Sequence, residues 1–203
     1  NESIDIHGGG LDLVFPHHEN EIAQSESFTG VIPFAKFWMH NGTLQYGDDK
    51  MSKSIGNVFS IGNALKEYSP DSLRMFFLSS HYRNPLTFTD DSVQSQSRAL
   101  DRLKHALEAR SGGGEEMEHI LYHDRFIEAM DEDLNTPRAL AVLFDLARDI
   151  NRESSSGLGV IKAQKTLAEL SGVLGLTLSD QNSCSGGDIA PFVEMLITVR
   201  SEL

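Results

Sequence analysis

The chain has 203 residues, with 17 basic against 30 acidic side chains, a formal net charge of −13 and a single cysteine. No apolar run approaches the roughly 20 residues of a membrane span, the first residues carry neither the basic nor the apolar region of a secretory leader, and one cysteine excludes an intrachain disulfide framework and points to a reducing compartment. The acidic balance argues against a general nucleic-acid coating role, while a local basic groove stays compatible with it.

Taken in chain order, Ser3-Ile-Asp-Ile6 alternates and reads as a strand that runs into a flexible glycine loop, His7 to Gly10. Pro16 suits the first turn of a helix continuing through His17 to Phe28. Asn41-Gly42 lies between two β-prone runs and predicts a hairpin, and Gly47-Asp48-Asp49 marks a second turn. Ser69-Pro70-Asp71 supplies an N-cap, a first helical residue and an acidic first turn. In the next helix Val93, Leu100, Leu103 and Leu107 share one face. Residues 111–118 read as a Gly/Glu linker. A helix over 124–133 follows, then one capped by Thr136-Pro137 with Leu140, Phe144, Ala147 and Ile150 inward. A further helix runs from about Val160 to Leu174 and ends at Gly175. A second linker, residues 179–188, precedes a last helix that stops without a C-cap. The pattern predicts a mixed, mostly α chain: a small α/β piece followed by an all-helical module.

Two stretches carry chemistry. In Phe15-Pro-His-His-Glu-Asn-Glu21, His17 and Glu21 stand four apart, so on a helix they share a face and can bind a metal together. The same acids also complement the positive end of a helix dipole with the histidines merely exposed, and spacing alone leaves both readings open. Cys184 sits in a polar linker and reads as a bystander. In Lys50-Met-Ser-Lys-Ser54, two lysines three apart among hydroxyls suit an exposed loop that clamps a polyphosphate; an ordinary solvated loop has the same composition.

The strings HGGGLDLVFPHHENEIAQSE, WMHNG, KMSKSIGN and MDEDLNTPRAL, in this order, resemble cysteinyl-tRNA synthetases of class I. The resemblance runs over nearly the whole chain and is densest from Ile4 to Asn57. It implies three regions: 1–48 as the end of a Rossmann-type catalytic domain, 49–115 as the lysine loop and stem-contact helices, and 116–203 as a DALR-type helical bundle. It implies activation of L-cysteine with ATP to cysteinyl adenylate, then transfer to the 3′ end of tRNA(Cys), in a cytoplasmic, membrane-free and monomeric enzyme.

The residue roles follow from the same resemblance. A Zn²⁺ ion would be held by His17, Glu21 and two cysteines expected upstream of Asn1, where a His-Ile-Gly-His signature would also lie. Asp12, with His7 beside it, matches the group that receives the substrate's ammonium. Lys53 matches the ATP-contacting catalytic lysine, with Lys50 in support. His18, Glu19 and Asn20 would support the site, Trp38 and His40 would lie near the nucleotide side, with Trp38 equally readable as core, and Arg74, Arg83, Arg98, Arg102 and Lys104 would be the phosphate contacts toward tRNA. Two other readings are a cysteine ligase of mycothiol synthesis and a non-catalytic tRNA-binding fragment.

Overall fold

The computed structural model describes residues 2–46, 49–50 and 60–178. The N-terminal part is a parallel strand pair, β1 (Ile4–Gly10) and β2 (Ala35–Asn41), joined through a helical turn and helix α1 (Glu19–Thr29). A second, three-stranded sheet has the order β4-β3-β5, with β3 at Leu44–Tyr46, β4 at Asp49–Lys50 and β5 at Leu86–Phe88. The helices that follow are α2 (Ile61–Glu67), α3 (Pro70–Leu78), α4 (Asp90–Glu108), α5 (Ile120–Asp131), α6 (Thr136–Ser155) and α7 (Ile161–Val173). None of the described helices is long and apolar enough to cross a membrane.

Four sequence expectations give way to tertiary context. The stretch His7 to Gly10 is not a loop: it completes β1, laddered to Trp38–Asn41 of β2. Its lack of side chains reflects crowding, because a Cβ on Gly9 would stand 2.8 Å from Cε1 of His18. Pro16 does not open α1. Residues Val14–His18 form a separate wide turn in which Phe15 is extended, and α1 begins at Glu19. Asn41-Gly42 does not make a hairpin. β2 pairs in parallel with β1 while β3 pairs with β4 and β5, so the dipeptide is a crossing between sheets. Gly42 is required there for close approach, since a Cβ would lie 2.1 Å from the carbonyl oxygen of Asn84. Residues 111–118 are not a loose linker: the amides of Gly112, Gly114 and Met117 donate to the carbonyls of Leu158, Gly157 and Gly159, and Met117 is buried.

Local capping signals fare better. Ser69 accepts from the amide of Ser72 at the start of α3, with Pro70 in the first turn. Thr89 and Ser92 form a reciprocal capping box for α4. For α6 the cap is Asn135, one residue before the expected Thr136, whose hydroxyl donates instead to the carbonyl of Leu78 at 2.9 Å. α5 starts at Ile120, earlier than expected, and α7 ends near Gly175 at φ +74°. The elements α2 and β5 carry no signal of their own in the sequence reading. The second linker and the last helix lie outside the described residues.

Two hydrophobic clusters meet on α3 and α4. The smaller joins Ala64, Leu73, Phe76, Phe88 and Val93, with Phe76 edge-on to Phe88 at 5.4 Å. The larger runs from Met75 of α3 and Leu100 and Leu103 of α4 into the buried faces of α5, α6 and α7. Leu107 and Phe144, expected inside, are partly buried at its margin. The chain after α7 is fastened back to α3. One carboxylate oxygen of the buried Asp71 accepts from the Thr177 amide at 3.0 Å, the Thr177 hydroxyl at 3.0 Å and the Leu178 amide at 2.9 Å. Replacing Asp71 with alanine strands these donors. The expected loss is about 2–4 kcal/mol of stability, read as a lower urea midpoint, with asparagine retaining part of it. An unchanged midpoint in the alanine variant would show that the fastening contributes nothing.

Candidate active site

The β1–β2 register builds the site. In a parallel pair, residues opposite one another point to the same face. His7 lies opposite Trp38 and Gly9 opposite His40, so one imidazole, an indole and a second imidazole crowd one face. Trp38 and His40 stack at 5.7 Å with 9° between their planes, and His7 meets Trp38 edge-on at 4.8 Å. The bare Gly9 leaves the space that the ring of His18 occupies. His18 is only 3% exposed, and its Nδ1 is 2.8 Å from Nε2 of His40. Burial, together with the neighbouring rings of His40 and His7, pushes His18 below the ordinary histidine value.

The first turn of α1 brings Glu21 to this cluster. Its Oε2 is 2.7 Å from Nε2 of His7, and its Oε1 is 3.7 Å from Nε2 of His17. Two donors on one tetrahedral metal stand roughly 3.4 Å apart when each bond is about 2.1 Å. The His17–Glu21 separation fits that requirement; the His7–Glu21 separation is that of a hydrogen bond, in which a ring N–H donates to the carboxylate. His7 therefore orients the carboxylate, the arrangement usual for groups that support metal ligands. Among the described residues, His7, His18 and Glu21 also gather their donor atoms within 4.8 Å of one another, and the Nδ1 of His18 is already engaged by His40.

The fold thus unites His7, His17 and Glu21. Asp12 stands on the exposed turn Leu11–Leu13 at the carboxyl end of β1. Lys50 lies in β4, its backbone paired with Gln45, and Lys53 falls outside the described residues. Sequence reasoning assigned His18 only a supporting place, set His40 on the nucleotide side and left Trp38 between that side and the core. The structure packs all three into the wall behind Glu21. The two-residue spacing of Trp38 and His40 was the available signal, but it acquires meaning only from a partner strand some thirty residues away in the chain.

Residues 1–98 match the family described as "tRNA synthetases class I (C) catalytic domain", and residues 125–179 match the DALR domain. Over 206 residues and all of its length, the chain is 48% identical to a cysteine–tRNA ligase of Dehalococcoides mccartyi, of which it covers 45%. Along its whole length the chain is similar to cysteine–tRNA ligases. Relatives from Halorhodospira halophila and Cupriavidus pinatubonensis are 47% and 49% identical, over 98% and 90% of the chain and 44% and 38% of their own lengths. The chain therefore spans less than half the length of these cysteine–tRNA ligases. Among solved structures, the fold resembles a leucyl-tRNA synthetase from Agrobacterium radiobacter K84 (TM-score 0.62, 17% identity, 88% of this chain and 28% of that one). It also resembles the methionyl-tRNA synthetase of Mycobacterium tuberculosis (TM-score 0.57, 17% identity, 86% and 38%). Both are class I synthetases, so the strand pair and the helices after it have the class I catalytic-plus-helical architecture that the sequence led us to expect.

Proposed function

We propose that the chain forms part of a cysteine–tRNA ligase that activates L-cysteine with ATP and transfers it to tRNA(Cys). The observation that carries this reading is the His17–Glu21 donor pair braced by His7, set in a chain 48% identical throughout its length to a cysteine–tRNA ligase. In this reading His17 and Glu21 hold Zn²⁺ together with two thiolates from outside these residues. The metal would supply a soft Lewis acid for the substrate thiolate, which a serine hydroxyl cannot match. This chain's own contribution is to position the donors. His7 fixes the Glu21 carboxylate, His18 and Trp38 wall off water, and Asp12, at the end of β1, is placed to receive the substrate ammonium. Lys53, with Lys50 in support, meets the ATP phosphates. Residues 1–48, 49–115 and 116–203 keep their proposed division into catalytic end, lysine-loop connection and helical bundle, within a cytoplasmic monomer. The test is ATP–pyrophosphate exchange by the full-length protein. It should depend on cysteine and not respond to serine; equal exchange with both would overturn the reading.

Three of the candidate phosphate contacts already have partners within the chain. Arg83 is taken up by Asp133 at 2.6 Å, Arg74 by the carbonyl of Gly175 at 2.6 Å, and Lys104 has a partner of its own. Arg98 and Arg102, one turn apart on the exposed face of α4, are in no ion pair among the described residues, and Arg102 rests over the ring of Phe144 at 4.7 Å. In the full-length protein each Arg→Ala change at these two positions should lower the salt slope of tRNA binding by about 1. Pyrophosphate exchange without tRNA should not change. An unchanged salt slope in the double variant would remove α4 from the interface.

A further inference from the structure

The α5–α6 turn holds two consecutive non-glycine residues in the left-handed region, Asp133 at φ +52° and Leu134 at φ +54°. Such a conformation is uncommon and persists where surrounding contacts enforce it. Those contacts converge from one short segment. The Tyr82 hydroxyl donates to the Asp133 carboxylate at 2.8 Å, Arg83 Nε donates at 2.6 Å, and His81 Nε2 lies 3.1 Å from the Asp133 carbonyl oxygen. The Arg83 guanidinium and the Tyr82 hydroxyl hold the Asp133 carboxyl at about 2, so it is ionised at any physiological pH. The same segment is fastened to the strands. The Tyr82 carbonyl accepts the Gly42 amide at 2.8 Å, directly after β2, and the ladder continues with Leu44 opposite Leu86 and Tyr46 opposite Phe88. Behind β1 and β2 lies an open cavity of about 600 Å³, lined by Gly8, Met39 and Asn41 on one side and by Tyr82, Leu134 and Thr136 on the other. Across it the strands are not packed solid against the helices, so the polar contacts at its rim set their spacing.

We propose that Asp133 is a positioning residue of the helical bundle: by clamping Tyr82 and Arg83 it fixes the Gly42 crossing, and with it the strand β3 that leads through β4 into the lysine loop. The clamp couples a residue with no place in the site to the backbone of Lys50, which pairs with Gln45 of β3. The coupling is a matter of geometry alone; its effect on cysteine activation rests on the function proposed above.

The experiment uses the full-length protein and two readouts. In Asp133→Ala, amide hydrogen exchange at Gly42 and at Leu44–Tyr46 should accelerate about tenfold or more, while the amides of α4 and α7 keep their wild-type protection. Tyr82→Phe, a milder change that removes one bond of the clamp, should give an intermediate acceleration at the same amides. In pyrophosphate exchange both variants should lower kcat with the cysteine KM unchanged, and the reversed pair Arg83→Asp with Asp133→Arg should recover part of the loss. Wild-type protection at Gly42 and β3 in both variants would overturn the proposal. So would faster exchange there with unaltered kcat. Should the wild-type protein show no cysteine-dependent exchange, the functional reading fails instead, and the amide readout still decides the clamp.

Discussion

Replacing Glu21 with alanine in the full-length protein should remove the metal and the discrimination against serine together. Glu21 has one oxygen 3.7 Å from His17 and the other 2.7 Å from His7, so the substitution deletes the proposed ligand and leaves a ring donor without its acceptor. Zinc content, measured by elemental analysis after dialysis against chelator, should fall from about one ion per chain to a small fraction of that. The ratio of kcat/KM for cysteine over serine in pyrophosphate exchange should drop on the order of 10²–10³-fold. His7→Ala, which removes only the orienting bond, should weaken metal binding by about 10–100-fold. Full zinc occupancy and an unaltered cysteine preference in Glu21→Ala would refute the ligand assignment.

Lys53→Ala should slow adenylate formation far more than it weakens cysteine binding. In the proposed mechanism this lysine meets phosphoryl charge that develops in the transition state. Loss of such a contact costs on the order of 3–4 kcal/mol, or 10²–10³ in rate. Single-turnover measurement of cysteinyl adenylate alongside the cysteine KM separates the two effects. Lys50→Ala should show a smaller loss in the same step. Parallel losses in rate and cysteine affinity at Lys53 would mean that the lysine shapes the site rather than acting on phosphate.

What the sequence made legible was whatever is written within a turn of helix. Ser69 and Pro70 announced α3, the apolar stripe Val93–Leu100–Leu103 announced α4, and Gly175 marked the end of α7, because capping and amphipathicity are local physics. The His17–Glu21 pairing was legible for the same reason, even though the helix starts three residues later than expected: the four-residue spacing survives the change of turn. The errors fall where partners are distant in sequence. Asn41-Gly42 has the composition of a hairpin, yet the parallel ladders of β1 with β2 and of β3 with β5 decide its conformation. The glycines after His7 look like a flexible loop until the ring of His18 is seen to need the space at Gly9. His18, His40 and Trp38 form one wall only through strand register, and no local pattern encodes which residues of two strands stand opposite.

The contact between Gly112 and Gly157 bears on how this chain can be handled. A Cβ on Gly112 would stand 1.9 Å from the carbonyl oxygen of Gly157, and the segment after it is hydrogen-bonded as far as Met117. A stretch rich in glycine and glutamate invites the engineer to split the protein there, to graft a reporter, or to install a protease site. Each of these would pry the end of α4 away from the α6–α7 connection and from α7, whose Gln164 side-chain amide donates to the carbonyls of Ala106, Leu107 and Ala109. A cut in this stretch would therefore yield two halves that must reassemble through a shared core, not two modules that can be exchanged between synthetases.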